Sequence, residues 1–336
     1  MAWDVLGHEW AESLLREHIQ RGQVRQAYLF VGASGVGRRT LATRFVQALY
    51  CPQAKTTGDP CRICPVCLQV EKAQHPDLFP VAAEQEGGEL RIDAIRELQH
   101  SLSLSPYMAD RKVGLLLRFE EANQNAQNAL LKTLEDTPGR AMLLLTAASA
   151  EGVLPTIASR CEVLRLRPMA VSDATRYLVD QFHLPQEEAD LLAHVTGGRL
   201  GAALRLHAEP ERLEQRTEWL GDLFTLLGNS LRERFAYAEN AVRSRGKGDR
   251  GQARENLRGI LQTWLSLWRD VLLYSAGASA PLTNPDVADE IRQIAAVVSL
   301  EEARRQAAIL EKSLLRLRSA NLQLLLENLL LDLPSI

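Results

Sequence analysis

Aromatic residues make up only 5% of this 336-residue chain, which argues against a platform that stacks the bases of single-stranded nucleic acid. Net charge is nearly absent too. With 39 basic and 42 acidic residues the balance is −3, so nothing draws the whole chain toward a polyanion, and any DNA contact must come from a local patch. No apolar run reaches the roughly 20 residues that span a bilayer; the leucine-rich end is interrupted by Glu327, Asn328 and Asp332. Nor does the start, MAWDVLGHEWAESLL, place a basic stretch ahead of an apolar one as an export signal does. A cytoplasmic protein without a membrane segment is expected. Internal repeats and low-complexity tracts are also missing, and the length suits two or three domains with sizeable cores.

What is present begins with Gln26 to Ala42, QAYLFVGASGVGRRTLA. An apolar run enters a glycine-rich turn and leaves into an amphipathic segment, the pattern of strand, loop and helix. Gly32, Gly35 and Gly37 form a frame whose backbone N–H groups could cradle phosphate at a helix N-terminus. A P-loop then needs a lysine for the β/γ-phosphates and a hydroxyl for Mg²⁺. Arg38 and Arg39 stand in those places, Arg39 putting positive charge where the metal would sit. Thr40 comes one residue late, about 100° round the helix from the metal position. Arg38 either contacts a phosphate or fills the pocket, and nucleotide binding by this loop stays open.

Cysteine is scarce, five in all, yet four cluster as Cys51, Cys61, Cys64 and Cys67, in the pattern C-x9-C-x2-C-x2-C with Pro60 and Pro65 at the turns. C-x2-C spacing lets two thiolates on one turn bind tetrahedral Zn²⁺, and four thiolates leave no open position for chemistry. Disulfides would fit poorly in a reducing cytosol. A structural zinc site is expected.

Apolar runs at Tyr28–Val31, Val113–Leu117, Met142–Thr146 and Glu162–Leu166 alternate with helical patterns over 9–21, 38–50, 92–102 and 123–134. Such alternation predicts a doubly wound parallel α/β sheet, with ligands at the carboxyl ends of its strands. The strand ending at Leu117 runs into Arg118-Phe119-Glu120-Glu121, where a working ATPase would end in a metal-directed aspartate. Glu120 is a weak candidate for that role; otherwise Glu120 and Glu121 open the next helix, whose N-terminal dipole favours acids. Beyond Pro168 the strand signals stop. Residues 172–206 read as short helices with turns at 183–185 and 197–198, and all that follows Pro210 reads as helix. Apolar stripes at 257–272 and 314–331 each need a partner helix, in this chain or another. Residues 243–250, with Arg243, Arg245, Lys247 and Arg250, form a basic loop that is either a connector or a DNA contact.

Several of these stretches together resemble the subunits of the bacterial DNA polymerase III clamp loader. The resemblance rests on Ala27–Phe30, the glycine loop, the four-cysteine insert, His75-Pro76-Asp77-Leu78, Ile92 to Leu98, Asn128 to Glu135 and Ser159-Arg160-Cys161, in this order, and on Ala320 to Leu330 at the end. It covers the first half of the chain well. It implies an AAA+ scaffold in three parts: residues 1–168 as a P-loop-like domain carrying the zinc module at 51–67, 169–208 as a helical lid, and 209–336 as a helical collar joining other subunits. Within that family a gamma/tau-type motor hydrolyses ATP, whereas the delta-prime type often cannot. Arg38, Arg39, the displaced strand acid, and Gly201 where the motor's sensor arginine would stand all favour the second type. Arg160, with Ser159 beside it, resembles the family's arginine finger, which enters the ATP site of an adjacent motor subunit. A planar, permanently charged guanidinium suits that task; the plainer alternative is a surface ion pair. The implied partners are gamma/tau-type and delta-type subunits and, through the complex, the sliding clamp and primed DNA. Two rival readings remain: an active ATPase using Arg38 and Glu120, and a zinc-module nucleic-acid binder, for which Lys55, Arg62 and Lys72 are the only cations between Cys51 and His75.

Overall fold

Buried strands with no exposed face set the architecture. Ala27–Val31 (β1) and Ala141–Ala147 (β4) are buried at every residue, as continuous apolar runs are when helices cover both faces of a parallel sheet. A computed structural model describes residues 3–85, 87–136, 139–243, 250–317 and 320–336. In chain order α1 (Glu9–Gln20), β1, α2 (Arg38–Tyr50), α3 (Ala54–Thr57), α4 (Pro65–Glu71), β2 (Leu78–Val81), α5 (Ile92–Ser103), β3 (Lys112–Leu116), α6 (Gln124–Glu135), β4, α7 (Pro155–Ala158) and β5 (Glu162–Arg165) build a five-stranded sheet. Its order is β2-β3-β4-β1-β5 and every pairing is parallel.

Side chains alternate between two cores because successive residues of a strand face opposite ways. Tyr28 and Phe30 of β1 face α1 and α2, where Leu15, Leu41 and Phe45 pack with Met142 and Leu144 of β4. Leu29 and Val31 face α5 and α6, meeting Ile95, Leu98 and Leu130 with Leu143 and Leu145. The strand β2 is absent from the sequence reading. It has four residues, includes Pro80, and sits at the sheet edge, where a missing N–H is tolerated.

Asp77, just before β2, is fully buried and accepts from the backbone N–H groups of Tyr107, Met108 and Ala109 at 2.7, 2.7 and 2.8 Å. One carboxylate thus ties the turn ahead of β3 to the edge strand. Burial pushes this carboxyl up, but the three N–H bonds outweigh it and hold the group below its ordinary value.

The chain folds as two compact units, Met1–Met169 with Arg199–Ala202, and Ala170–Gly198 with Ala203–Ile336. The second contains α8 (Val171–Phe182), α9 (Gln186–Val195), the bulk of α10 (Leu200–Ala208), α11 (Pro210–Gly228), α12 (Leu231–Arg243), α13 (Arg250–Ser275), α14 (Ala288–Val297), α15 (Leu300–Arg316) and α16 (Leu322–Leu331). The α13 stripe finds its partner inside this chain: Leu257, Leu261, Trp264 and Trp268 are buried with Trp219 and Leu223 of α11. The stripe expected over 314–331 is not one helix. Helix α15 ends at Arg316 and Asn321 caps a new one, its Oδ1 accepting from Gln323 and Leu324 N–H, while Leu315 and Leu324 are exposed. Asparagine competes for backbone donors and so starts helices more readily than it continues them. The backbone of 244–249, and the side chains of Arg243 and Arg250, lie outside the described residues, and with them the basic loop.

Two substitutions test this packing. A Cβ at Gly259 would collide with the Trp219 ring, so Gly259→Ala should destabilise the protein by about 1–2 kcal/mol despite the better helix propensity of alanine, read by urea denaturation. The Asp77 contribution is complete above the unfolded carboxylate value near pH ~4 and disappears as pH falls through the lower folded value. Asp77→Asn should therefore unfold at lower urea at neutral pH, and its stability should change less on acidification than that of the parent.

Candidate functional site

The glycine loop joins β1 to α2 at the carboxyl end of the sheet. Gly35 and Gly37 have φ of +86° and +104°, the left-handed region that glycine enters without strain. A side chain at Gly35 is excluded twice over, since its Cβ would also lie 2.6 Å from Ala202 Cβ. Residues Arg199–Ala202 press against the loop: Gly201 N–H donates to Gly35 O at 2.9 Å, and Arg199 Nη1 donates to Ser34 O at 3.3 Å. A Cβ at Gly201 would come within 2.9 Å of that same Gly35 oxygen, so glycine at this position is what permits the approach. Beneath the loop, His8 is buried and its Nε2 meets Val36 O at 2.7 Å. Nothing in the spacing of the sequence marks His8 as a loop contact.

Arg38 opens α2 and is buried, its Nη1 3.8 Å from Glu120 Oε1. Arg39 and Thr40 are exposed, so the cation that meets the strand acid is Arg38, and Arg39 is turned away from it. Gly32, Gly35, Gly37, Arg38 and Glu120 therefore come together, and Thr40 does not join them. The expectation that Glu120 and Glu121 open the following helix fails. Arg118 takes a left-handed conformation after β3, Phe119–Glu121 form a separate 3₁₀ turn, and α6 starts at Gln124 with Asn123 Oδ1 accepting from Ala126 N–H at 2.8 Å. Glu121 points inward to accept from Gly87 N–H and Arg118 Nε at 2.7 and 3.0 Å.

Cys51, Cys61, Cys64 and Cys67 place their four sulfur atoms within 4.8 Å of one another, and none is in a disulfide. Local structure does this. Cys51 ends α2, Cys64 caps α4 ahead of Pro65, and the N–H groups of Cys64 and Cys67 point at the sulfurs of Cys61 and Cys64, each at 3.4 Å. Gln47 of α2 donates to Cys67 O at 2.8 Å, pinning α4 to the sheet domain. Burial works against the charged form of Cys61, but the N–H groups of Ile63 and Cys64 and the neighbouring thiols outweigh it, bringing the thiol down to about 6. Burial raises Cys64 and Cys67 instead. A tetrahedral ion with sulfur at ~2.3 Å needs sulfur–sulfur edges of roughly 3.8 Å. Cys61 and Cys67 are 3.9 Å apart, so the four thiols could hold a metal ion.

Ser159 and Arg160 follow the short helix α7, immediately before β5. Ser159 Oγ donates to Thr156 O at 3.1 Å; Arg160 Nη1 donates to the same carbonyl at 2.9 Å and Nη2 to Glu135 Oε1 at 2.7 Å. Arg160 is exposed, beside a cleft of about 280 Å³ that Arg25, Leu134 and Glu162 also line. Cys161 is packed against the core; burial pushes its thiol up to about 12, which leaves it inert near neutral pH. β1 and β5 are parallel, with Tyr28 opposite Glu162. Arg160 stands at the amino edge of the sheet and the glycine loop at the carboxyl edge, about 15 Å apart for strands of this length.

Residues 7–170 match the family described as DNA polymerase III, delta subunit, and residues 253–334 match the description DNA polymerase III, delta subunit, C terminal. DNA polymerase III subunit delta' of Pseudomonas aeruginosa is 34% identical over 63% of this chain and 64% of its own length, so the alignment spans less than two thirds of that relative. Subunit delta' of Bacillus subtilis is 27% identical over 95% of this chain and 93% of its own. Subunit tau of Escherichia coli is 29% identical over 60% of this chain and 32% of its own. No helix among the described residues is long and apolar enough to cross a membrane.

Proposed function

We infer, for a chain that belongs to the DNA polymerase III delta-subunit family and is a subunit of the clamp loader, that it lends Arg160 to a neighbouring ATPase subunit while hydrolysing no ATP itself. The observation that carries this reading is the position of Arg160. It is exposed at the sheet edge opposite its own glycine loop, about a strand length away, and so can serve a phosphate only on another chain. There a planar guanidinium would stabilise the charge that spreads over a transferring phosphoryl group.

The chain's own loop supports the other half of the reading. The lysine position is Arg38, engaged with Glu120, and Gly201 and Ala202 pack directly on Gly35. Neither a metal-directed hydroxyl nor a free strand carboxylate is in place to anchor Mg²⁺. In this reading residues 169–208 act as the lid and 209–336 as the collar that joins gamma/tau-type and delta-type subunits, and the assembled complex loads the sliding clamp on primed DNA.

The metal held by Cys51, Cys61, Cys64 and Cys67 is zinc in a structural role. Four thiolates close the coordination shell, so the ion supplies folding energy to the insert between α2 and β2 and no reaction chemistry.

Metal analysis should return about one zinc per chain, and its removal should lower the melting temperature; a zinc-free preparation melting like the parent would remove the folding role. The isolated chain should not turn over ATP, and steady turnover lost on Glu120→Gln would overturn the loop assignment. Arg160→Ala should keep zinc and assembly while lowering DNA-stimulated ATP hydrolysis and clamp loading by the reconstituted complex. The loss should fall at or below the roughly 10³- to 10⁵-fold worth of such fingers, since only one site in the complex depends on this chain. Arg160→Lys should restore little, because an ammonium lacks the planar fork. Wild-type loading by Arg160→Ala would leave a scaffolding subunit.

A further inference from the structure

Glu135 is the last residue of α6, where the negative end of the helix dipole disfavours an acid and prefers a cation. The only partner shown for its carboxylate is the Arg160 guanidinium, at 2.7 Å. Arg160 also bonds back to Thr156 O, four residues earlier on its own turn. Two of its five donors are therefore directed inward, and the side chain is drawn onto α7 and the end of α6. Both partners are open to solvent, 37% for the arginine side chain and 57% for the glutamate, so the bond is weak and readily exchanged. The other carboxylate at this edge, Glu162, faces Arg25 at 3.9 Å.

We propose that Glu135 is a latch that parks Arg160 until a multiply charged phosphate on the neighbouring subunit displaces it, a proposal that rests on the assignment of Arg160 as a finger. A single carboxylate holds the guanidinium when no stronger anion is near. The terminal phosphate of a bound nucleoside triphosphate carries more charge and offers oxygens to both arms of the fork, and so replaces it. The local rule broken at the end of α6 is then explained: the acid stands where a helix would prefer a base because its task is to restrain a cation belonging to another site.

The test is ATP hydrolysis by the complex reconstituted with Glu135→Gln, which removes the charge and keeps the side-chain size. Hydrolysis without DNA should rise about 1.5- to 5-fold, the range of an exposed ion pair, while the maximal rate with clamp and primed DNA changes little. The gain should shrink in high salt, which screens the parent's pair. Glu135→Ala should behave the same way, and both variants should melt with the parent. With Arg160→Ala added, the gain should vanish. A rate equal to or below the parent's, or a gain that survives Arg160→Ala, overturns the latch. Should Arg160→Ala lower stimulated hydrolysis while Glu135→Gln changes nothing, the finger stands and only the latch falls. Should Arg160→Ala itself be without effect, the finger assignment fails first.

Discussion

The parallel pairing of β1 with β4 on one side and β5 on the other is the constraint from which the chemistry of this chain follows. Parallel strands put every connection that leaves a strand at one edge and every connection that enters one at the other. The glycine loop leaves β1; Ser159 and Arg160 enter β5. A phosphate cradle and a phosphate-directed arginine are thereby separated by the length of the sheet within one molecule. In an assembly of like folds the same separation lets the arginine of one chain meet the loop of the next.

Two arginine–glutamate pairs show how burial changes what such a pair can do. Arg38 and Glu120 are largely enclosed, with side-chain exposures of 10% and 23%, and sit at the places where a working site would hold lysine and a metal-directed acid. Removing one partner there would strand a buried charge, so the pair is held together by the penalty of separating it. Arg160 and Glu135 share an exposed edge, where water compensates either partner and exchange is easy. The same chemical couple closes one site and leaves the other available.

The cysteine module and the Asp77 turn hold the rim of the sheet domain in different ways. Around the four sulfurs the organising groups are local: caps of α2 and α4, with N–H groups three residues along the chain. Asp77 instead reaches about thirty residues forward to three consecutive N–H groups. Its burial is tolerable because all three bonds go to the ionised carboxylate.

By itself the sequence determined whatever depends on neighbours within a few positions. Apolar runs became β1, β3, β4 and β5, Gly35 and Gly37 took the positive φ that only glycine adopts freely, and C-x2-C spacing brought the sulfurs together, because each is a property of a strand, a turn or one turn of helix. Tertiary structure alone decided which distant residues meet. β2 exists as a strand through its pairing with β3, since four residues with a proline carry no periodic signal. The split of the final apolar stripe into two helices depends on the Asn321 cap, which periodicity does not see. The meetings of Arg38 with Glu120, Gly201 with Gly35 and Glu135 with Arg160 follow from strand register and helix placement. Those are set by how two cores fill on opposite faces of one sheet, and no spacing along the chain records them.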